Sequence, residues 1–166
     1  SAFGAYSLNL NTTGSNNTAI GRSALNNNTT ASNNTAVGNA TLSANTTGPN
    51  NTGLGTNALD ANTTGGYNVG VGNNALGSTI SGNYNVAVGD GALTTTTTSS
   101  NNTDVGHESL ANATAGDNVA VGRGALYNNT DGYSNIGIGT YALDANTTGD
   151  ELVAVGMHAL GANTTA

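Results

Sequence analysis

The chain has 166 residues with nine acidic and two basic side chains, a formal net charge of −7, and charged residues making up only 7%. Aromatic residues make up 4%, there is one proline and no cysteine, and 25 glycines stand among abundant Asn and Thr. This excludes a disulfide framework and thiolate metal sites, leaves Arg22 and Arg123 without a basic run to engage nucleic acid or anionic lipid, and offers no apolar run near the roughly 20 residues needed to insert in a membrane.

Such bias suggests disorder, but the apolar residues are strictly placed, which a disordered chain does not require. The chain opens inside a repeat, Ser1-Ala2-Phe3-Gly4, and has no leader segment, so a soluble or mature segment is expected. The glycine then recurs at Gly21, Gly38, Gly55, Gly72, Gly89, Gly106, Gly122, Gly139 and Gly156, 17 residues apart except for 16 between Gly106 and Gly122. The missing residue of that seventh coil is expected just after Gly116, in a turn, where a deletion spares the strand register.

Within each unit the elements follow in the same order. The residue after the glycine varies freely (Arg22, Asn39, Asp90, His107), which predicts an exposed turn. Four residues after the glycine stands a leucine in every unit, including Leu25, Leu42, Leu59, Leu76, Leu93 and Leu110, and this column is expected to be core. Asn-Thr-Thr-Gly follows, intact at Asn11–Gly14, Asn45–Gly48, Asn62–Gly65 and Asn146–Gly149; Asn and Gly tolerate positive φ, so it predicts a corner.

Four residues before the next glycine comes an asparagine column: Asn17, Asn34, Asn51, Asn68, Asn85, Asn102, Asn118 and Asn135, ended by Leu152. A side-chain amide donates and accepts, so stacked copies are expected to hydrogen-bond along the rod. A strand follows. Its residue before the glycine is aliphatic, among others Val37, Val71, Val88 and Val121, and its β-branched partner two positions earlier shares the same face. That face is assigned to the core with the leucines, and the small residue between them to the opposite face, where another backbone can approach.

One Leu, one Val or Ile and half a Thr cannot form a core alone, so neighbouring units must cover each other. The fold expected is all-β: a parallel β-solenoid (β-roll or β-helix) of ten coils of about 17 residues, with residues 1–166 as a single repeat domain. Tyr67 and Tyr84 occupy one column in adjacent coils and are expected to stack. The chain stops at Asn163-Thr164-Thr165-Ala166 with no polar cap at either end, which predicts a segment of a longer fibre or copies that join end to end.

The signature Asn-Thr-Ala-Ile-Gly-x-x-Ala-Leu at Asn17–Leu25, repeated at Asn34–Leu42 and Asn85–Leu93, resembles the head repeats of YadA-like trimeric autotransporter adhesins and related bacteriophage tail-fibre repeats. The resemblance covers essentially the whole chain, although the unit is longer here by the Asn-Thr-Thr-Gly corner. It implies a left-handed roll, a homotrimer of chains side by side, and adhesion to a cell-surface glycan or protein receptor.

Chemistry is sparse by comparison. His107 and His158 fall in variable columns and are expected to be solvated. Asp150 and Glu151 are adjacent, and Asp60 and Asp144 lie five coils apart, so neither pair has acid–base spacing. The Asp150 corner has oxygens of the kind calcium takes, but no metal, cofactor or catalytic residue is assigned and an enzyme is not expected. Asn-x-Thr sequons at Asn11, Asn16, Asn28, Asn45, Asn62 and Asn146 are read first as corner and ladder residues, and as glycan acceptors only in a host that glycosylates.

The function expected is a structural or adhesive shaft of an extracellular fibre, a phage tail fibre or a bacterial surface adhesin, located outside the cell or on a virion. Two alternatives stand beside it. One is a filament subunit polymerising end to end; the other is an ice-binding solenoid using the threonine column through Thr12, Thr29, Thr46, Thr63, Thr130 and Thr147.

Overall fold

A computed structural model describes residues 1–165. It contains ten short strands: β1 (Ala2–Phe3), β2 (Thr18–Ile20), β3 (Thr35–Val37), β4 (Thr52–Leu54), β5 (Val69–Val71), β6 (Val86–Val88), β7 (Thr103–Val105), β8 (Val119–Val121), β9 (Ile136–Ile138) and β10 (Val153–Val155). They form one parallel sheet in chain order. Equivalent residues face each other, Thr35 opposite Thr52 and Val69 opposite Val86, so the chain is a β-solenoid that advances one strand per repeat.

Parallel neighbours need a long connection between them, and here the rest of each coil supplies it. That connection is itself bonded to its neighbours: Leu25 N–H donates to Thr41 O at 3.0 Å, Asn27 to Ser43 at 3.1 Å and Thr29 to Thr46 at 3.1 Å. The coil-to-coil ladder therefore runs around the whole circumference.

After each glycine the backbone departs from ordinary geometry. The second and fourth residues adopt positive φ, as in Asn57 and Leu59, both at 55°. For a leucine this left-handed conformation costs about 1–2 kcal/mol. It persists because the surroundings over-determine it: Leu59 is fully buried and its N–H donates to Ala75 O at 3.0 Å. The glycine ahead of it is required for a different reason. Gly72 has φ 135°, and a Cβ there would sit 2.6 Å from the Gly89 carbonyl carbon of the next coil.

The core is a thin layer between the strands and the leucine-bearing segment. Leu25, Leu42, Leu59, Leu76, Leu93 and Leu110 are fully buried, together with Ala24, Ala58, Ala75 and Ala92 just before four of them. Opposite them lie the small central strand residues, including Ala19, Ala36 and Ala87. A Cβ on Gly70 would already stand 3.3 Å from Leu59 Cδ1 and 3.2 Å from Ala75 O, so nothing larger than alanine fits there without displacement.

This corrects the face assigned to the strands. Val37, Val71, Val88 and Val121 do not join the leucines; they point outward, half-buried or exposed, as do their β-branched partners. The reason is thickness. A leucine reaching across from the far wall fills the space between the two backbones, so the inward strand position takes Ala or Gly and the aliphatics face out.

The asparagine column is buried and continuous. The Oδ1 of each member accepts the backbone N–H of the next: Asn34 to Asn17 at 2.9 Å, Asn51 to Asn34 at 2.8 Å, Asn118 to Asn102 at 3.1 Å and Asn135 to Asn118 at 2.9 Å. In most members the Nδ2 crosses to a corner carbonyl, as from Asn51 to Gly65 O at 2.8 Å, whereas that of Asn34 is buried without a partner. Leu152 ends the column without a penalty of its own, because its N–H still donates to Asn135 Oδ1 at 2.9 Å.

A second amide ladder, which the reading of Asn-Thr-Thr-Gly as a mere corner missed, runs parallel to the first. Asn28 Nδ2 donates to Asn11 Oδ1 at 2.8 Å, Asn45 to Asn28 at 3.0 Å, Asn62 to Asn45 at 2.9 Å and Asn146 to Asn129 at 2.8 Å. The same Nδ2 also reaches the corner carbonyl three residues on, as from Asn62 to Gly65 O at 3.0 Å. One carbonyl thus serves both ladders.

The seventh coil is the exception. Asp117 N–H donates to Ser100 O, and a Cβ on Gly116 would meet that same oxygen, so Gly116 stands level with Ser100. The residue omitted is the one before Gly116, the corner residue whose carbonyl serves the ladders, rather than the one after it. The second asparagine is replaced here by Ala113, as it is by Thr79 and Thr96 in the two coils before, so the second ladder lapses over these three coils. Asn102, deprived of the corner carbonyl, turns its Nδ2 to Asn85 Oδ1 at 3.2 Å and Ser99 Oγ at 3.3 Å. The strand register survives, with Thr103 opposite Val119.

Candidate functional surfaces

The rod's side chains divide into distinct surfaces. The outward side of the sheet carries two columns, one of Thr, Val and Ile and one of Ile, Val and Leu with Phe3 at its start, and no charged side chain. Leu54 is 48% exposed and Val88 36%. Acidic and basic residues lie instead on the turns, apart from one acid buried in the core.

That one is Asp104, the central residue of β7, where other coils have Ala or Gly. Neither carboxylate oxygen has a hydrogen-bond partner. Burial raises its pKa to about 8, against smaller lowering effects from the Ser109 hydroxyl and the Leu93 backbone. By geometry the Ser109 hydroxyl is committed elsewhere, donating to Gly106 O at 2.9 Å, which favours a carboxyl held neutral by its dry surroundings. Asp60 is raised too, more mildly, through partial desolvation.

On the turn side a shallow cleft of about 360 Å³ opens beside Gly91, lined by Asn73, Asp90, Thr94, His107, Glu108 and Tyr127. His107 is exposed as expected, with Nε2 3.9 Å from Asp90 Oδ2 and Nδ1 3.7 Å from Glu108 Oε2. His158 stacks on Tyr141 at 5.5 Å between ring centroids, and the Arg123 guanidinium lies 5.4 Å from the same tyrosine ring. Tyr67 and Tyr84 stack at 5.0 Å on the corner.

Asp150 and Glu151 form no site together. Asp150 Oδ1 accepts the Tyr133 N–H at 2.9 Å, a structural use of the carboxylate on the adjacent coil. Among the described residues no group of three or more His, Cys, Asp or Glu side chains gathers as metal ligands, and no helix is long and apolar enough to cross a membrane.

The threonine column is occupied with structure. Thr12, Thr29, Thr46, Thr130 and Thr147 each donate a hydroxyl to the matching carbonyl of the next coil at 2.8–3.1 Å. The sequons separate in the same way. Asn28, Asn45, Asn62 and Asn146 are buried in the second ladder, whereas Asn16 is exposed. Comparison of the chain with protein-family models, with curated proteins and with solved structures finds no match.

Proposed function

We propose that this chain is a rigid shaft of an extracellular fibre, holding or presenting a surface to a receptor on a cell. The observation that carries the reading is the coil-to-coil bonding: backbone ladders around the circumference and one continuous column of buried amides join the coils along the axis, with a second amide column in the coils on either side of Thr79, Thr96 and Ala113. A stack of this kind resists bending and local opening, because separating two coils breaks several hydrogen bonds at once and exposes both leucine layers to water. Sparse charge and variable turn residues suit a spacer whose outer loops diversify while the scaffold stays constant. The resemblance of the Asn17–Leu25 signature to adhesin and tail-fibre repeats points the same way. An ice-binding role for the threonine corner draws little support, since its hydroxyls are already donated within the rod.

The test is location. Gold-labelled antibody raised against the folded chain is applied to intact cells and to virions from the source organism. Labelled projections on an outer surface support the reading; label that is found only in opened cells removes it.

A further inference from the structure

We infer that the outward face of the ten-stranded sheet is an interface between two copies of this chain, packed face to face. This goes beyond the shaft reading and holds whether or not the rod belongs to a fibre. Three observations carry it.

The first is area. Ten rows at roughly 4.8 Å, each about 11 Å wide across two side chains, make a strip of about 500 Å², apolar except for Ser1, Thr18, Thr35, Thr52 and Thr103 in one of its columns. This is the size of the largest apolar patch on a typical monomer, which is often a functional surface, and two such strips together reach the roughly 1,000 Å² that marks the lower limit of a specific interface.

The second is charge. The chain carries a net charge of −7, yet no charged side chain stands in either outward column. Two copies meeting here bury no ion, and their acids stay on turns that remain in water.

The third is pitch. The strip repeats in strict register, Val71 beside Val88 and Val105 beside Val121. A partner with a different spacing would match it at one or two rows and clash at the rest. A second copy has the same spacing at every row, so aliphatic side chains from one face can settle between those of the other at the roughly 10 Å separation of packed sheets.

The same geometry selects two chains rather than three. Each chain has a single face of this kind, and strand side chains stand roughly perpendicular to their sheet, so one face covers one other completely. Three such faces around an axis would meet along their edges and leave the central rows over a void, which close-packed interfaces do not tolerate.

Sedimentation velocity over a thousandfold range of concentration tests this. The expected result is a rise from the 16.2 kDa of one chain to twice that mass. The double variant Leu54→Asp/Val88→Asp should stay at the mass of one chain at the highest concentration, and Thr64→Asp, on an exposed corner, should still double. Circular dichroism establishes that each variant is folded. Should the aspartates unfold the chain, Leu54→Thr/Val88→Thr keeps strand-compatible side chains and should weaken association at least tenfold. A single-chain mass at every concentration, a three-chain mass, or association undiminished in the folded face variants would each overturn the inference.

Discussion

The backbone N–H of Asn85 donates at 2.9 Å to Oδ1 of Asn68, the residue one coil earlier in the same buried column. Asn68 in turn sends its Nδ2 to Gly82 O at 2.8 Å. One side chain therefore closes two backbone groups that water cannot reach. Replacing it, Asn68→Leu, leaves a donor and an acceptor unpaired inside the rod, and a loss of about 2–4 kcal/mol in unfolding free energy is expected. Urea titration followed by circular dichroism measures it. A change below about 0.5 kcal/mol would mean the ladder is ornamental.

The coil glycines separate two costs that usually come together. Gly72→Ala places a methyl against the Gly89 carbonyl at φ 135°, whereas at Gly156 the φ is 129° but the nearest atom to a new Cβ is 3.9 Å away. Both substitutions carry the backbone strain, and only the first forces adjacent coils apart. Gly72→Ala is expected to lower the thermal midpoint at least twice as far as Gly156→Ala. Equal shifts would assign the glycine to φ alone.

Asp104 makes stability depend on pH. Its folded pKa of about 8 lies above the ordinary value of 3.8, so the native state keeps a proton that the unfolded chain releases. The cost of burying the carboxyl is thus smallest below about pH 4, where both states hold the proton, and grows at up to roughly 1.4 kcal/mol per pH unit as pH rises toward 8, beyond which it is flat. Asp104→Ala, which restores the residue type of the column, should stabilise the rod by a few kcal/mol at pH 8 and change it little at pH 3. Denaturant midpoints at both pH values decide; a variant equally affected at both would show the carboxyl is not held neutral.

The sequons provide a chemical map of burial. Expressed in a host that attaches N-linked glycans, the chain should carry sugar at the exposed Asn16, Asn33 and Asn101, each followed by Asn-Thr, and remain bare at Asn28, Asn45 and Asn62. Glycopeptide mass spectrometry after secretion reads the pattern. Occupancy at Asn45 on folded protein would contradict the second ladder.

Much of this molecule is written in one dimension. A glycine every 17 residues, a leucine four places after it and an asparagine four places before it define the coil, the parallel register and the first ladder, because identical units that cannot bury themselves have to stack in phase. The second ladder was hidden by its chemistry: Asn-Thr-Thr-Gly is good turn sequence, and nothing local distinguishes an asparagine that shapes its own corner from one that bonds to Asn28 or Asn45 in the next coil.

Which side of the strand is the inside was a matter for the tertiary structure alone. Val71 is the larger and more apolar residue, and Gly70 beside it reads as the one facing away, yet Gly70 is buried and Val71 is not. The interior is only as deep as one leucine reaching from the opposite wall, and that depth is a property of the closed coil, set by how the turns bring the two backbones together. Sequence period determines that the coils stack; the gap between their walls decides which residues the stack encloses.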